Sequence, residues 1–200
     1  MSGAPVVVAV LAGGAGRRIE GGKAAVKLHG QPLIDYPLRA ARDAGLEAVV
    51  LAKRDSVLPE TRAAVLYEPD LPLHPLCGVV TALGRWPAVL AVGCDMPFLT
   101  APLLVRLAAA DAGAAVARHD GALQPLPALY RRTHLRRLIE AVQSGEPMRR
   151  TLAALGPQVL SDASVAECGD PRRLFYSVND RDSLARAAAW LEGRDDADQA

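Results

Sequence analysis

The sequence predicts an α/β fold, in which a mostly parallel sheet carries helices on both faces. Three observations support this prediction. Short runs of Val, Ala and Leu alternate with longer stretches in which Ala, Leu and Arg recur at helical period. The 200 residues are enough for one domain with a substantial core. Hydrophobic residues make up 50% of the chain and charged residues 22%, which is typical of a globular domain.

The predicted elements alternate along the chain. The clearest apolar runs predict strands at Val6–Leu11, Ala48–Ala52, Ala88–Gly93 and Ala114–Ala117, and shorter runs predict three more at Ala64–Leu66, Leu126–Tyr130 and Leu174–Tyr176. The predicted helices are Leu33–Ala44, Gly78–Leu83, Ala101–Ala110, Arg132–Gln143, Met148–Ala154 and Arg181–Leu191. In an open sheet of this kind, ligands bind beyond the carboxyl ends of the strands.

Several residues mark where these elements begin and end. Pro32 suits the first turn of the first predicted helix, and Gly45 suits its carboxyl end. Thr100 is a predicted N-cap, followed by Pro102 in the first helical turn. His119–Gly121 is predicted to form a hairpin turn after a strand, and this turn is favoured over a catalytic dyad because adjacent residues on a turn point apart.

Composition and charge exclude several classes of protein. The net charge of +1 provides no field that attracts nucleic acid or an anionic membrane, and an aromatic content of 4% disfavours base-stacking surfaces. The three cysteines, Cys77, Cys94 and Cys168, form no metal-binding pair, and their number fits a reducing cytoplasm. We therefore expect a cytoplasmic protein with one domain over residues 1–192 and a disordered tail over residues 193–200.

The most informative segment is Leu11–Lys23, which follows the first predicted strand. Its glycines Gly13, Gly14 and Gly16 allow a tight turn and close approach of backbone N–H groups to an anion. Three cations follow, namely Arg17, Arg18 and Lys23. A strand, a glycine-rich turn and a basic cluster together predict a site for the phosphates of a nucleoside triphosphate.

A plain turn is the alternative for this segment, since glycine-rich turns are common in α/β proteins. Neither of two familiar phosphate loops is present. A Walker A loop needs Ser or Thr after Gly-Lys, but Ala24 follows Lys23. The spacing of the glycines also fails the dinucleotide-binding fingerprint, because Ile19 stands where its third glycine would be.

Two further segments contain candidate ligands. Asp95 lies two residues beyond the predicted strand Ala88–Gly93, where a carboxylate could hold Mg²⁺ against a triphosphate. A turn or helix-capping aspartate is the alternative there. In the proline-rich segment Glu68–Gly78, Asp70 could bind a ribose or base edge, although an ordinary loop would explain the same composition.

Together these motifs resemble the MobA-type molybdenum cofactor guanylyltransferases, a family of nucleotidyltransferases. The matches run in chain order from about residue 6 to about residue 184. The matching segments are Leu11–Gly14 with Arg18 and Lys23, Leu28–Leu33, Pro75–Gly78, Cys94–Leu99, His119–Gly121, Gln124–Leu126, Ala128–Tyr130, Ser144–Glu146 and Val178–Asn179. The opening motif indicates only the wider superfamily, whereas Pro75–Gly78 and Cys94–Pro97 indicate the molybdopterin-linked branch.

The resemblance implies a single-domain, Rossmann-like nucleotidyltransferase fold and a specific reaction. GMP would pass from GTP to the terminal phosphate of molybdopterin, with release of pyrophosphate. The implied partners are GTP, the molybdopterin acceptor and other proteins of molybdenum cofactor biosynthesis or delivery. Neither nucleic acid nor a membrane is implied, and we expect a monomer.

The resemblance also assigns roles to individual residues. The implied nucleotide-binding residues are Leu11, Ala12, Gly13, Gly14, Lys23, Asp70 and Asp95. Lys23 and Arg18 would neutralise the departing pyrophosphate, Asp95 would hold Mg²⁺, and Asn179 would lie on the acceptor side. Either Glu68 or Asp70 matches the nucleotide-binding aspartate of the family, and Asp70 is preferred.

The chain departs from the family pattern at several positions, and alternatives remain. Gly22 stands where Asp is usual, Glu20 where Gly is usual, and Ser177, Asp180 and Pro127 replace other family residues. One alternative is a cytidylyltransferase acting on the same pterin, and another is a sugar-phosphate nucleotidyltransferase. The non-enzymatic alternative is a carrier that binds GTP or pterin without turnover.

Overall fold

A seven-stranded sheet lies at the centre of the computed structural model, which describes residues 5–14 and 22–194. The strands of these described residues are β1 (Val6–Leu11), β2 (Lys27–Leu28), β3 (Gln31–Pro32), β4 (Ala48–Ala52), β5 (Ala64–Tyr67), β6 (Ala88–Gly93), β7 (Ala114–His119), β8 (Ala122–Arg131) and β9 (Gln158–Leu160). The order across the main sheet is β5-β4-β1-β6-β8-β7-β9. Strand β8 is antiparallel to both neighbours, and the other pairs are parallel.

Helices cover both faces of the sheet. They are α1 (Asp35–Asp43), α2 (Leu76–Leu83), α3 (Ala101–Ala108), α4 (Leu135–Ser144), α5 (Met148–Ala154), α6 (Asp162–Ala166), α7 (Pro171–Leu174) and α8 (Arg181–Leu191). The mostly parallel sheet with helices on both faces therefore confirms the predicted fold class. No helix of the described residues is long and apolar enough to cross a membrane.

Alternating side chains of the central strands form two separate cores. Val8 and Val10 of β1 face one core with α1, α3 and α6, whereas Val7 and Ala9 face the other with α2, α4 and α5. Strand β6 is buried along its whole length. Its continuous apolar run fits a central strand covered on both faces, which explains why this strand could be predicted from the sequence.

A smaller cluster fixes the carboxyl-terminal part of the described chain near the opening loop, which comprises Leu11–Gly14 at the end of β1. Leu28 and Leu33, from the short β2–β3 hairpin, pack with Val178 and with Ala187 of α8. A reciprocal capping box between Asp180 and Ser183 begins α8. The segment before α8 is thereby held against the edge of the sheet where β1 and β6 end.

Two predictions about local structure need correction, and several short elements were not predicted. Leu174–Tyr176 is not a strand, because Asp170 caps the short helix α7 and Leu174 is its last residue. Pro32 is not in a first helical turn, since it pairs with Lys27 in the β2–β3 hairpin and α1 begins at Asp35. Strand β9, the hairpin and helices α6 and α7 were not predicted.

Other local predictions are confirmed. Thr100 is the N-cap of α3, and Pro102 lies in its first turn. The turn between β7 and β8 has positive φ at Asp120 (49°) and Gly121 (72°), as a two-residue type I′ hairpin requires. Gly45, with φ of 69°, follows the end of α1.

Candidate active site

A cavity of about 320 Å³ lies at the carboxyl ends of β1, β4 and β6. Leu11, Ala12, Gly13 and Gly14 line it from the end of β1, and Gly93, Cys94 and Asp95 line it from the end of β6. Lys53 and Glu68, which follow β4 and β5, form another wall. The cavity therefore occupies the position where open α/β sheets bind their ligands.

The backbone continues the sheet for one residue beyond β1 and then turns into the cavity. Ala12 N–H donates to the Leu51 carbonyl at 2.7 Å, and Cys94 N–H donates to the Leu11 carbonyl at 3.2 Å. These bonds hold the ends of three neighbouring strands in register. All four opening-loop residues predicted to bind nucleotide lie at the cavity, although their contacts with a nucleotide stay predictions.

Lys23 lies between two polar side chains that are distant in sequence. Its Nζ donates to Asp95 Oδ2 at 2.9 Å and to Asn179 Oδ1 at 2.5 Å. The Asn179 amide nitrogen donates to the Ser177 carbonyl at 3.1 Å, which leaves the amide oxygen facing Lys23. Three residues predicted to act in the site are thus in direct contact. Arg18 lies outside the described residues.

The conformation of Asp95 depends on the residues on either side. A Cβ at Gly93 would lie 2.5 Å from Asp95 Oδ1, so the carboxylate folds over a position where a side chain would clash. The Asp95 carbonyl accepts a hydrogen bond from Val178 N–H at 2.9 Å. Asp95 therefore connects the end of β6 to the segment that carries Asn179.

Glu68, and not Asp70, lines the cavity. Glu68 follows β5 and is 9% exposed, whereas Asp70 is exposed and lies outside the lining. The backbone explains this, because Glu68 N–H continues the β4–β5 ladder by donating to the Ala52 carbonyl at 2.9 Å. Of the two, Glu68 is therefore the acidic residue in the cavity wall, and the predicted contact of Asp70 with the nucleotide stays a prediction.

Lys53 was not named among the predicted site residues, and its Nζ lies 3.4 Å from Glu68 Oε1 and donates to the Pro69 carbonyl at 2.5 Å. Its position at the end of a strand could have identified it, because Lys53 follows β4 in the same way that Asp95 lies just beyond β6. His74 was also missed. Its ring Nδ1 accepts from Leu76 N–H at 3.1 Å, and its Nε2 lies 2.8 Å from the Glu146 carbonyl. These two contacts fix the cavity-lining loop before α2.

Burial changes the acidity of three groups near the cavity. Desolvation raises the pKa of Glu68, and the positive charge of Lys53 opposes that rise. Burial, with a smaller contribution from the Asp95 charge, raises the pKa of the Cys94 thiol to about 12. The pKa of Cys77 is also raised, mainly by burial. Both thiols are therefore protonated at neutral pH and are poor nucleophiles.

The residues present fit Mg²⁺ bound jointly by protein and substrate. No cluster of three or more His, Cys, Asp or Glu side chains suited to a metal occurs in residues 5–14 and 22–194. Mg²⁺ in nucleotide enzymes is held by one or two carboxylates together with substrate phosphates. The Asp95 carboxylate, at the cavity and beside a lysine, provides a hard oxygen ligand of this kind.

Comparisons with known proteins agree with this geometry. A family model described as the MobA-like NTP transferase domain matches residues 8–159. A probable molybdenum cofactor guanylyltransferase from Opitutus terrae is 37% identical over 74% of this chain and 77% of the relative. A molybdenum cofactor guanylyltransferase from Pseudomonas putida is 32% identical over 85% of this chain and 96% of the relative.

Solved structures show the same fold. Molybdopterin-guanine dinucleotide biosynthesis protein A from Archaeoglobus fulgidus aligns with a TM-score of 0.79 and 24% identity, over 94% of this chain and 99% of that one. A 2-C-methyl-D-erythritol 4-phosphate cytidylyltransferase from Thermus thermophilus aligns with a TM-score of 0.66 and 20% identity, over 94% and 98% of the two chains. The second structure shows that this fold also serves a cytidylyltransferase.

Proposed function

The chain belongs to the MobA-like NTP transferase family and is a nucleotidyltransferase, and from this premise we propose that it transfers GMP from GTP to the terminal phosphate of molybdopterin. The products would be the guanine dinucleotide form of the cofactor and pyrophosphate. The observation that carries the proposal is the set of relatives named molybdenum cofactor guanylyltransferase, which are at least 30% identical over most of both chains.

In this reaction a phosphate oxygen of the acceptor attacks the α-phosphorus of GTP. The bond from the α-phosphorus to the bridging oxygen breaks, and pyrophosphate leaves with the electron pair. The attacking phosphate is already ionised, so the protein needs to supply position and charge rather than a strong base. The cavity suits this task, because its walls combine backbone groups of the opening loop with the charged side chains of Lys23 and Asp95.

We assign Lys23 the role of neutralising negative charge on the departing pyrophosphate. Its Nζ is already held by two oxygens, so little rotamer freedom is lost when phosphate oxygens approach. Arg18 is proposed to share this role. Asn179 is proposed to face the acceptor, because it contacts Lys23 from the segment before α8.

Asp95 is the residue proposed to hold Mg²⁺. When bound, the ion would neutralise charge on the triphosphate oxygens. The Asp95 carboxylate is suited to this role, because the Gly93 backbone and the Val178 N–H fix its residue at the cavity. A cytoplasmic location, a monomeric state and contacts with cofactor-delivery proteins stay predictions.

The proposal is tested by pyrophosphate release from the purified chain, compared for GTP, CTP, ATP and UTP with molybdopterin or a sugar 1-phosphate as acceptor. We expect release to require molybdopterin and to favour GTP by at least about 100-fold in kcat/KM, because a site built to pair one base leaves buried polar groups unpaired with another. Better turnover with CTP would establish a cytidylyltransferase, and turnover with the sugar phosphate would establish a sugar-phosphate nucleotidyltransferase. GTP binding without release under any condition would support the carrier alternative.

A further inference from the structure

Lys53 and Glu68 are the charged side chains that are buried in the described parts of the chain. Lys53 is 7% exposed and Glu68 is 9% exposed. Burying a pair of opposite charges costs desolvation energy that their attraction only partly offsets, so such a pair contributes little to stability. Both side chains line the cavity at the end of the sheet. Their position therefore points to a role in the site rather than in the core.

The pair fixes the Glu68 carboxylate against two glycines. A Cβ at Gly13 would lie 2.1 Å from Glu68 Oε1, and a Cβ at Gly78 would lie 2.9 Å from Glu68 Oε2. The carboxylate is thus placed between the opening loop and the first turn of α2. Any residue other than glycine at these positions would displace it.

Lys53 contacts both the Glu68 carboxylate and the backbone next to it. Its Nζ is 3.4 Å from Glu68 Oε1 and donates at 2.5 Å to the carbonyl of Pro69, the residue after Glu68. One cation therefore fixes both the carboxylate and the backbone that carries it. The Cys77 thiol of α2 lies close enough for the Glu68 charge to add to the burial that raises the pKa of the thiol, which is protonated at neutral pH.

We propose that Lys53 is a positioning residue for nucleotide binding, which holds the Glu68 carboxylate ionised in the cavity wall as an acceptor for N–H or O–H groups of the nucleotide. This inference rests on the proposed function. Without a cation beside it, a carboxyl group in this buried wall would take up a proton more readily and could then donate to the same partner instead of accepting. Whether Glu68 acts as a hydrogen-bond acceptor toward the nucleotide thus depends on Lys53.

The test compares Lys53→Met, Lys53→Arg and Glu68→Gln with the unaltered full-length chain. Lys53→Met keeps the length of the side chain and removes its charge, and Lys27→Met, at an exposed lysine in β2, is the matched control. GTP affinity is measured by calorimetry, kcat and KM by pyrophosphate release, and the pKa of the Glu68 carboxyl by carbon-13 NMR titration.

We expect Lys53→Met to weaken GTP binding and raise its KM by at least about tenfold, with kcat changed less than about threefold. The NMR titration should show a higher pKa for Glu68 than in the unaltered chain. Lys53→Arg should restore most of the affinity, and Lys27→Met should leave it unchanged. The double variant Lys53→Met/Glu68→Gln should bind GTP about as weakly as either single variant, since both disrupt the same contact.

Unchanged GTP affinity in Lys53→Met, or losses that add in the double variant, would overturn the proposal even if thermal stability fell. Should Lys53→Met not fold, Lys53→Arg and Glu68→Gln still decide the question, because normal GTP affinity in Glu68→Gln would also overturn it. The NMR and calorimetric measurements need no turnover. If GTP binding depends on Lys53 but the chain releases no pyrophosphate, the proposed reaction would be contradicted and this inference would stand.

Discussion

Asp95 and Lys23 bring opposite charges within 2.9 Å of each other at the cavity, although 72 positions separate them in the sequence. Their side chains are 16% and 25% exposed, respectively, so both reach the cavity while remaining shielded by the ends of β1 and β6. A charge held in this way needs little reorganisation when a triphosphate enters.

Replacing Asp95 with Asn should lower kcat at least about 100-fold, because one preorganised electrostatic contact at a reacting phosphate contributes roughly 3 kcal/mol. The two side chains have nearly the same size, so the folded structure should persist, as circular dichroism and urea denaturation can show. Asp111→Asn, at an exposed turn before the amino end of β7, is the matched control and should retain full activity. Near-normal turnover by Asp95→Asn in saturating Mg²⁺ would remove Asp95 from the mechanism.

Replacing Lys23 with Ala should lower kcat more than it raises the KM for GTP. Its charge matters most while negative charge builds on the departing pyrophosphate, and interactions that strengthen in the transition state affect kcat. Steady-state kinetics with varied GTP separates the two constants, and Lys27→Ala controls for the loss of one lysine. A raised KM with unchanged kcat would show instead that Lys23 binds ground state and transition state equally.

At the scale of the elements, the opening loop and the end of β5 constrain each other through Gly13. The carboxylate of Glu68 occupies the space that a side chain at position 13 would need. Gly14 provides a comparison within the same loop, since no atom of the described residues lies within 4 Å of a Cβ built there.

Gly13→Ala should therefore destabilise the fold by about 1–3 kcal/mol, the usual cost of inserting a methyl group into a packed site. Gly14→Ala should change the free energy of unfolding by less than about 0.5 kcal/mol. Urea denaturation of both variants measures these values directly. Equal stability of the two variants would mean that Glu68 moves aside at no cost and is not held in place.

The central strands could be predicted from sequence because burial on both faces leaves a continuous apolar run. Strands β1, β4 and β6 have the predicted bounds, as do helices α5 and α8. Short elements could not be predicted this way. Strand β9 has three residues and α7 has four, which is too short for an apolar period to repeat and be recognised.

The site could be predicted in part. Residues close to the ends of strands, such as Asp95, were identifiable because strand ends meet at one edge of the sheet. The contact between Lys23 and Asn179 spans 156 positions and depends on how α8 packs against the β2–β3 hairpin, which no local pattern specifies. Glu68 and not Asp70 lines the cavity because Glu68 N–H still bonds to Ala52 beyond the end of β5, and such pairing across the sheet is not visible in the local sequence.

For the whole molecule, the fold alone does not determine which nucleotide is used. The backbone aligns both with a molybdopterin-guanine dinucleotide biosynthesis protein and with a cytidylyltransferase. The choice must therefore lie in the side chains that line the cavity and in the charges they carry. Glu68 is one such side chain, and its ionisation also links the site to the stability of the entire chain.

The last prediction concerns how stability depends on pH. Burial raises the pKa of Glu68 above its ordinary value of 4.5, with Lys53 opposing the shift. Between 4.5 and the raised pKa, the folded protein binds more protons at this position than the unfolded chain does. The contribution of Glu68 to stability is thus fully present below pH 4.5 and is lost as the pH rises through the raised pKa.

Glu68→Gln cannot titrate, so the free energy of unfolding of the unaltered chain, minus that of this variant, should fall as the pH rises from 4.5 to the raised pKa. Its slope cannot exceed about 1.4 kcal/mol per pH unit for one group. Urea denaturation from pH 4 to 8 measures the difference, with Glu47→Gln as a control that removes an exposed carboxylate. A difference that rises with pH would mean that Lys53 outweighs burial and lowers the pKa of Glu68.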